Sequence, residues 1–265
     1  MKLTFLGTGT SFGVPQIGCH CAVCRSPDPR DKRSRCGALI ETDGGTRLLI
    51  DTPPELRLQL IGNAIDDVDA VLYTHEHADH IHGIDDLRAF TVRRTNPLPL
   101  YGTRETLDLL AVRFPYIVDD SLQPLPGTTK PNGRLMPVTT GTSFRVGDAD
   151  VLPFSVPHGR TDVLAYRVGP IAYVTDAKSL GEEARAALVG VRVLVLNALL
   201  RRTHPTHLSI TEAVQTAQDI GAERTFLTHL THETSHADLA AELPEGISPA
   251  YDGLTIHLDP ATVWT

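Results

Sequence analysis

The stretch Ala70-Val71-Leu72-Tyr73-Thr74-His75-Glu76-His77-Ala78-Asp79-His80-Ile81-His82-Gly83 decides how the rest of the chain is read. Residues 70–74 form an apolar, β-branched run of strand length that delivers His75 to a loop. Side chains of an extended chain alternate with period two, so His75 and His77 point the same way. Asp79 and His80 follow in the tighter turn beyond. Neutral imidazoles with a carboxylate suit Zn²⁺, Mn²⁺ or Fe²⁺. A lone loop histidine is most often a solvated residue. His-x-His-x-Asp-His behind a strand gathers more donors than a protein assembles without a metal.

Three later positions repeat the pattern of strand, then ligand. Residues 151–156 run into Pro157-His158-Gly159, residues 171–175 into Asp176, and residues 225–228 into His229. Each alone reads as a cap or a solvated side chain; their order after the first cluster raises them. Further strands are expected at 3–6, 38–42, 47–51, 98–101, 143–146, 163–168 and 191–197. Asp43-Gly44-Gly45 joins the second and third of these as a hairpin, and Gly7-Thr8-Gly9 turns the chain after the first. Helices are expected at 55–62, 104–114, 180–188 and 209–220, the last with Ser209 and Glu212 at capping-box spacing. Residues 13–36 and 119–142 read as loop. Two β-rich halves, each carrying helices, predict two sheets packed face to face with helices outside.

Composition sets the outer limits. The 265 residues carry a net charge of −8, which disfavours a broad nucleic-acid or membrane-surface binder. Aromatics at 5% disfavour a stacking surface for single-stranded nucleic acid. No apolar run approaches the roughly 18 residues of a membrane span, and the N-terminus lacks a signal-peptide core. A cytoplasmic protein is expected. In a reducing compartment Cys19, Cys21 and Cys24 read as a thiolate metal site, with buried or redox-active thiols as the alternative. Cys36 reads as a packed thiol.

These motifs together resemble the metallo-β-lactamase superfamily over nearly the whole chain. The resemblance implies an α/β fold, an αββα sandwich of two mixed β-sheets flanked by helices, as one domain over 1–265. It implies that His75, His77 and His158 hold one metal, that Asp79, His80 and His229 hold a second, and that Asp176 bridges them. Asp51 matches the superfamily's early strand-end Asp, which supports the site from behind. A bridging Asp, where true lactamases have Cys, is the phosphodiesterase-like arrangement.

Gly18-Cys19-His20-Cys21-Ala22-Val23-Cys24, Gly7-Thr8-Gly9 and His229-Leu230-Thr231-His232 narrow the resemblance to PhnP-type cyclic phosphodiesterases. It implies a structural zinc on Cys19, Cys21, Cys24 and His232, in an N-terminal zinc-binding loop at about residues 13–36. Thr206-His207-Leu208-Ser209 resembles the catalytic His segment of the PhnP and tRNase Z branches. An imidazole titrating near about 6.5 can hand a proton to a leaving oxygen at neutral pH, which makes His207 the candidate acid, with His204 a weaker rival. Asp79 joins His207 as a catalytic candidate. Arg33 and Arg35, in the basic stretch 25–35, and Asn197 are candidate substrate contacts. The alternative for the basic stretch is a solvated loop paired with Asp28 and Asp31.

The activity expected is hydrolysis of a small, cyclic phosphodiester to a phosphomonoester. Two divalent ions, Zn or Mn with Fe or Ni also accepted, would activate a hydroxide, and His207 would protonate the departing oxygen. The rivals are a tRNase Z-like nuclease, a thioester or lactone hydrolase, and a PqqB-like carrier protein. The first would need a basic arm that is not found here, and the last would lack part of the ligand set. The expected partner is a small molecule, without nucleic acid or membrane, and the resemblance implies a homodimer. Loops near 85–96 and 119–142 are expected to shape the pocket.

Overall fold

A computed structural model describes residues 1–259. The first sheet takes β1 (Lys2–Gly7), β2 (Gly37–Glu41), β3 (Arg47–Ile50), β4 (Ala70–Leu72), β5 (Leu98–Gly102) and β6 (Gly133–Pro137). The second takes β7 (Phe144–Val146), β8 (Ala149–His158), β9 (Thr161–Val168), β10 (Ile171–Val174), β11 (Val193–Asn197), β12 (Arg224–Thr228) and β13 (Ile247–Pro249). The last strand, β14 (Thr255–His257), returns to the first sheet and pairs antiparallel with β1, so each sheet has seven strands. Both sheets are mixed. Strands β3 to β6 run parallel beside an antiparallel β14–β1–β2–β3 half. Strands β10 to β13 run parallel beside an antiparallel β7–β8–β9–β10 half.

Alternation along the strands builds three apolar layers. Leu48 and Ile50 of β3, Leu72 of β4, Tyr173 of β10 and Val195 of β11 meet between the sheets. The intervening Leu49 and Val71 face outward to α2 (Leu56–Gly62) and α5 (Arg104–Arg113). Leu194 and Leu196 face outward to α8 (Ile210–Ile220) and its neighbours. Strands buried on both faces read as unbroken apolar runs, as residues 191–197 do. The result is the αββα sandwich expected from the motifs.

Several boundaries differ from expectation, each for a local reason. The strand predicted over 70–74 stops at Leu72, because Thr74 spends its N–H on the Asp51 carboxylate and not on a neighbouring strand. Residues 133–137, read as loop, pair in parallel with β5 as the edge strand β6. Residues 13–36 contain a short helix, Ala22–Arg25, and a 3-10 turn, Pro29–Asp31, both too brief to show a period. The helix His236–Glu242 and strands β13 and β14 carry no signal that the sequence reading used. The capping box on α8 forms as predicted, with Glu212 Oε2 accepting from the Ser209 N–H at 2.7 Å. No helix among the described residues is long and apolar enough to cross a membrane.

Gly7 and Gly9 have a packing reason. A β-carbon on Gly7 would meet the Arg35 carbonyl oxygen at 1.9 Å, and one on Gly9 the Arg33 carbonyl oxygen at 2.5 Å. The Gly-rich turn therefore lets the cysteine-bearing loop lie directly against β1.

Candidate metal centre

Strands of both sheets release their chemistry at one edge, beyond their carboxyl ends, as open α/β sheets do. Asp51 follows β3, His75 lies three residues past the end of β4, His158 ends β8, Asp176 lies just past β10, and His229 follows β12. Asp51, Asp176 and His229 take φ of 61°, 58° and 58°. Left-handed backbone costs an L-residue about 1–2 kcal/mol. Among the described residues Ala64 is the one other non-glycine with positive φ, so the strain concentrates where side chains must turn toward a common point.

That point is filled by donors. His75, His77 and His158 form one group and Asp79, His80 and His229 another, the ligand atoms within each group lying within 4.8 Å of one another. Asp176 sits between them. Its Oδ2 lies 3.8 Å from His75 Nε2, 3.6 Å from His80 Nε2 and 4.0 Å from His158 Nε2. Its Oδ1 lies 3.5 Å from His229 Nε2.

The donor set fits divalent cations. His80 Nε2 and both ring nitrogens of His229 are buried without a hydrogen-bond partner. Each such orphan costs about 1–3 kcal/mol, a cost that ligation would cancel. His75 Nε2 and His77 Nδ1 also lie 2.9 Å apart, close enough to share one cation.

Residues behind the ligands set which ring nitrogen carries the proton. Asp51 Oδ2 accepts from His80 Nδ1 at 2.7 Å and from Thr74 Oγ1 at 2.8 Å. With its hydrogen given to Asp51, Thr74 Oγ1 accepts from His75 Nδ1 at 3.0 Å. The Thr206 carbonyl accepts from His158 Nδ1 at 3.1 Å. In His75, His80 and His158 the Nε2 lone pair is thereby aimed at the centre. Burial alone would push the Asp176 carboxyl up; His229, His80 and the hydrogen bond from His207 outweigh it and hold the group well below the usual carboxylate range. Burial holds His75 well below the ordinary imidazole value, in the neutral form that ligates.

His207, just ahead of α8, reaches the same point. Its Nε2 lies 3.2 Å from Asp176 Oδ2, its Nδ1 lies 2.7 Å from Thr206 Oγ1, and its ring stacks on His229 at 4.8 Å. His204 stands behind it, with Nδ1 3.3 Å from His207 Nδ1. Of the two rivals for the acid, His207 is the one that touches the centre. It also shares a ligand-range group with His158 and Asp176.

A second cluster lies nearby. Sγ atoms of Cys19, Cys21 and Cys24 and a nitrogen of His232 fall within 4.8 Å of one another. His232 Nδ1 is 3.3 Å from Cys19 Sγ and 3.4 Å from Cys21 Sγ. The Cys24 backbone N–H and His232 bring the Cys21 thiol down to about 6, while burial pushes Cys24 up to about 11. Three sulfurs and one imidazole suit a closed tetrahedral Zn²⁺ site. Cys36 is buried elsewhere, donating to the Gly9 carbonyl at 3.1 Å, as a packed thiol does.

The three candidate substrate contacts have other work. Arg33 is buried, and its guanidinium donates to the carbonyls of Thr231 and Thr234 and pairs with Asp31 at 3.3 Å. It bridges the cysteine loop to the segment carrying His232, and its burial keeps it from a free substrate. Arg35 pairs with Glu55 and donates to the Ser11 carbonyl. Asn197 is fully buried and clamps Ala177, accepting from its N–H at 2.8 Å and donating to its carbonyl at 3.1 Å. It fixes the loop that turns Asp176 into place. Of the predicted loop pairs, Arg30 does meet Asp28, at 2.8 Å. Thr74, Thr206 and the Asn197 clamp were not legible as supporting residues; adjacency to His75 and His207 is the one signal that marks the first two.

The family follows from comparison with known proteins. Residues 46–230 match the beta-lactamase superfamily domain, and the chain belongs to that superfamily. Within it the chain is of the PhnP type. A crystal structure described as a new diphosphatase from the PhnP family superposes with a TM-score of 0.89 at 38% identity, over 97% of this chain and 98% of that one. Zn²⁺-bound PqqB from Methylobacterium extorquens shares the fold, with a TM-score of 0.79 at 21% identity over 97% of this chain and 100% of that one. A protein named octanoyltransferase from Porphyromonas gingivalis is 42% identical over 98% of this chain, which spans about half, 52%, of that relative's length.

Proposed function

We propose that the protein hydrolyses a small phosphodiester, cyclic in its preferred form, to a phosphomonoester. The observation that carries this reading is the Asp176 carboxylate standing between two histidine-rich donor groups with His207 Nε2 3.2 Å from it. His75, His77 and His158 would hold one divalent ion, Asp79, His80 and His229 a second, and Asp176 both. When bound, such ions supply a hydroxide nucleophile and neutralise charge on the phosphoryl oxygens. The chain's own residues do the rest. Asp51, Thr74 and the Thr206 carbonyl keep the Nδ1 protons of His80, His75 and His158 away from the centre. His207 gives the Nε2 proton to the leaving alkoxide, which departs poorly without it. Zn or Mn is the proposed occupant, with a further structural Zn on Cys19, Cys21, Cys24 and His232. A cytoplasmic homodimer acting on a free small molecule completes the reading.

A diphosphatase is the second reading, favoured by the 38% identity to a protein so described. Both reactions attack phosphorus, but a diphosphate leaves as a phosphate and needs the acid less. Net charge of −8 argues against a grip on tRNA. The octanoyltransferase name belongs to a relative about twice as long, and acyl transfer is not carried over. A screen with Mn²⁺ or Zn²⁺ tests the proposal, comparing cyclic ribose phosphates, 2′,3′-cyclic nucleotides and bis-p-nitrophenyl phosphate with diphosphates, thioesters, lactones and a β-lactam. Diester turnover above the rest is expected. Robust thioester or β-lactam turnover without diester cleavage would overturn it, and turnover confined to diphosphates would select the second reading.

A further inference from the structure

A cleft of about 300 Å³ opens beside the metal centre, between the turn at residues 10–13 and the segment 199–204. Buried His207 and His229 form its inner end, and Phe12 stands at its lip, 66% exposed. Leu199 and Leu200 continue the apolar wall, and Arg202 faces Glu233 at 3.5 Å.

Phe12 is the one aromatic among the strongly exposed large hydrophobic residues of the described chain. The backbone holds it there. Gly13 N donates to the Thr10 carbonyl at 2.9 Å, Phe12 N to Thr10 Oγ1 at 3.3 Å, and Arg35 Nε to the Ser11 carbonyl at 3.1 Å. Val14 N then ties the end of the turn to the Arg33 carbonyl at 2.7 Å. A turn fastened at four points keeps an aromatic ring in water beside a centre built for chemistry. Such a ring offers its face to a planar ligand group.

Resting on the phosphodiesterase reading, we infer that Phe12 determines specificity by seating the planar base of a nucleoside-bearing phosphodiester, its sugar reaching inward past Leu199 to His207. The proton donor calls for an alkoxide leaving group, and a planar ring joined to a sugar alkoxide is a nucleoside. The cleft is at the small end of small-molecule sites, enough for one nucleoside and not a polymer. Arg202 and Glu233 offer a donor and an acceptor to the base edge.

The test uses metal-replete protein with 2′,3′-cyclic AMP and the methyl riboside 2′,3′-cyclic phosphate, which has the same leaving hydroxyls and no base. Wild type should favour the nucleotide about tenfold in kcat/KM, the size of one base–aromatic stack. Phe12→Ala should erase that preference through KM with kcat held, and Phe12→Trp should restore it. Equal wild-type rates, or a Phe12→Ala loss shared equally by both diesters, overturns the inference and leaves the phosphodiesterase reading standing. If neither diester is cleaved, that reading fails and binding decides the inference. Adenosine 2′-monophosphate should then bind wild type about tenfold more tightly than the methyl riboside phosphate, with the difference lost in Phe12→Ala. Equal binding of the two by wild type overturns it.

Discussion

Nε2 of His207 lies 3.2 Å from Oδ2 of Asp176, the carboxylate that also stands within 4.0 Å of three other histidines through the same oxygen. The proposed acid and the central carboxylate are thus in direct contact. Asp176→Ala should abolish turnover and reduce bound metal, measured by metal analysis after dialysis. Asp51→Asn removes the negative charge and one of the two acceptor oxygens behind His80, and should weaken metal affinity by about 10–100-fold while the fold survives. An Asp176→Ala protein with both metals and near-full turnover would sink the central role.

The proposed acid role of His207 is tested by leaving group. His207→Ala should lower the rate by roughly 10²–10⁴ for alkoxide leaving groups and far less for p-nitrophenolate, which departs without a proton. An equal loss on both substrate types would make His207 a ligand or a binding residue, as its place in a ligand-range group with His158 and Asp176 allows.

The cysteine cluster predicts a metal of its own. Cys21→Ser should remove about one metal equivalent and lower the melting temperature, while the histidine centre still fills when metal is supplied. Equal metal content in wild type and variant under reducing conditions would show that the four donors bind nothing.

Arg33 should matter for folding and not for substrate. Arg33→Met strands the buried Asp31 and frees two carbonyls, and should destabilise by about 3–5 kcal/mol in denaturant melts. KM for a diester should stay close to wild type. A large KM rise with unchanged stability would return Arg33 to the substrate.

Asp252 predicts a pH dependence. It accepts from Thr8 Oγ1 at 2.7 Å and from Ser34 N at 2.7 Å, and burial pushes its carboxyl up to about 6. The folded protein therefore holds this proton more tightly than the unfolded chain, whose Asp titrates near about 3.9. The stabilising contribution is full below about pH 4 and is lost as pH rises through about 6. Allowing for partial exposure, the difference is worth about 1–2 kcal/mol. Between about pH 5 and pH 7 wild type should lose stability relative to Asp252→Asn, read from urea midpoints. Parallel pH profiles would show that Asp252 is not the group responsible.

The sequence by itself showed the two β-rich halves and the strand ends that carry the candidate ligands, because both are written in local periodicity; which of those residues share a metal was what the superfamily resemblance implied. Apolar runs ending in His75, His158, Asp176 and His229 mark strand ends, and strand ends are where such sheets carry ligands. The Cys19, Cys21, Cys24 spacing is equally local. Only the tertiary structure decided what each cation and amide was for. Arg33 and Asn197 look like exposed or pocket-lining polar residues in sequence, yet their partners, Thr231, Thr234 and Ala177, lie far along the chain. Burial is a property of the packed chain: whether an arginine faces phosphate or a backbone carbonyl depends on which loop the fold lays over it. The edge strand β6 and the ring of Phe12 were hidden for the same reason, since a parallel neighbour and a cleft wall exist only once distant segments meet.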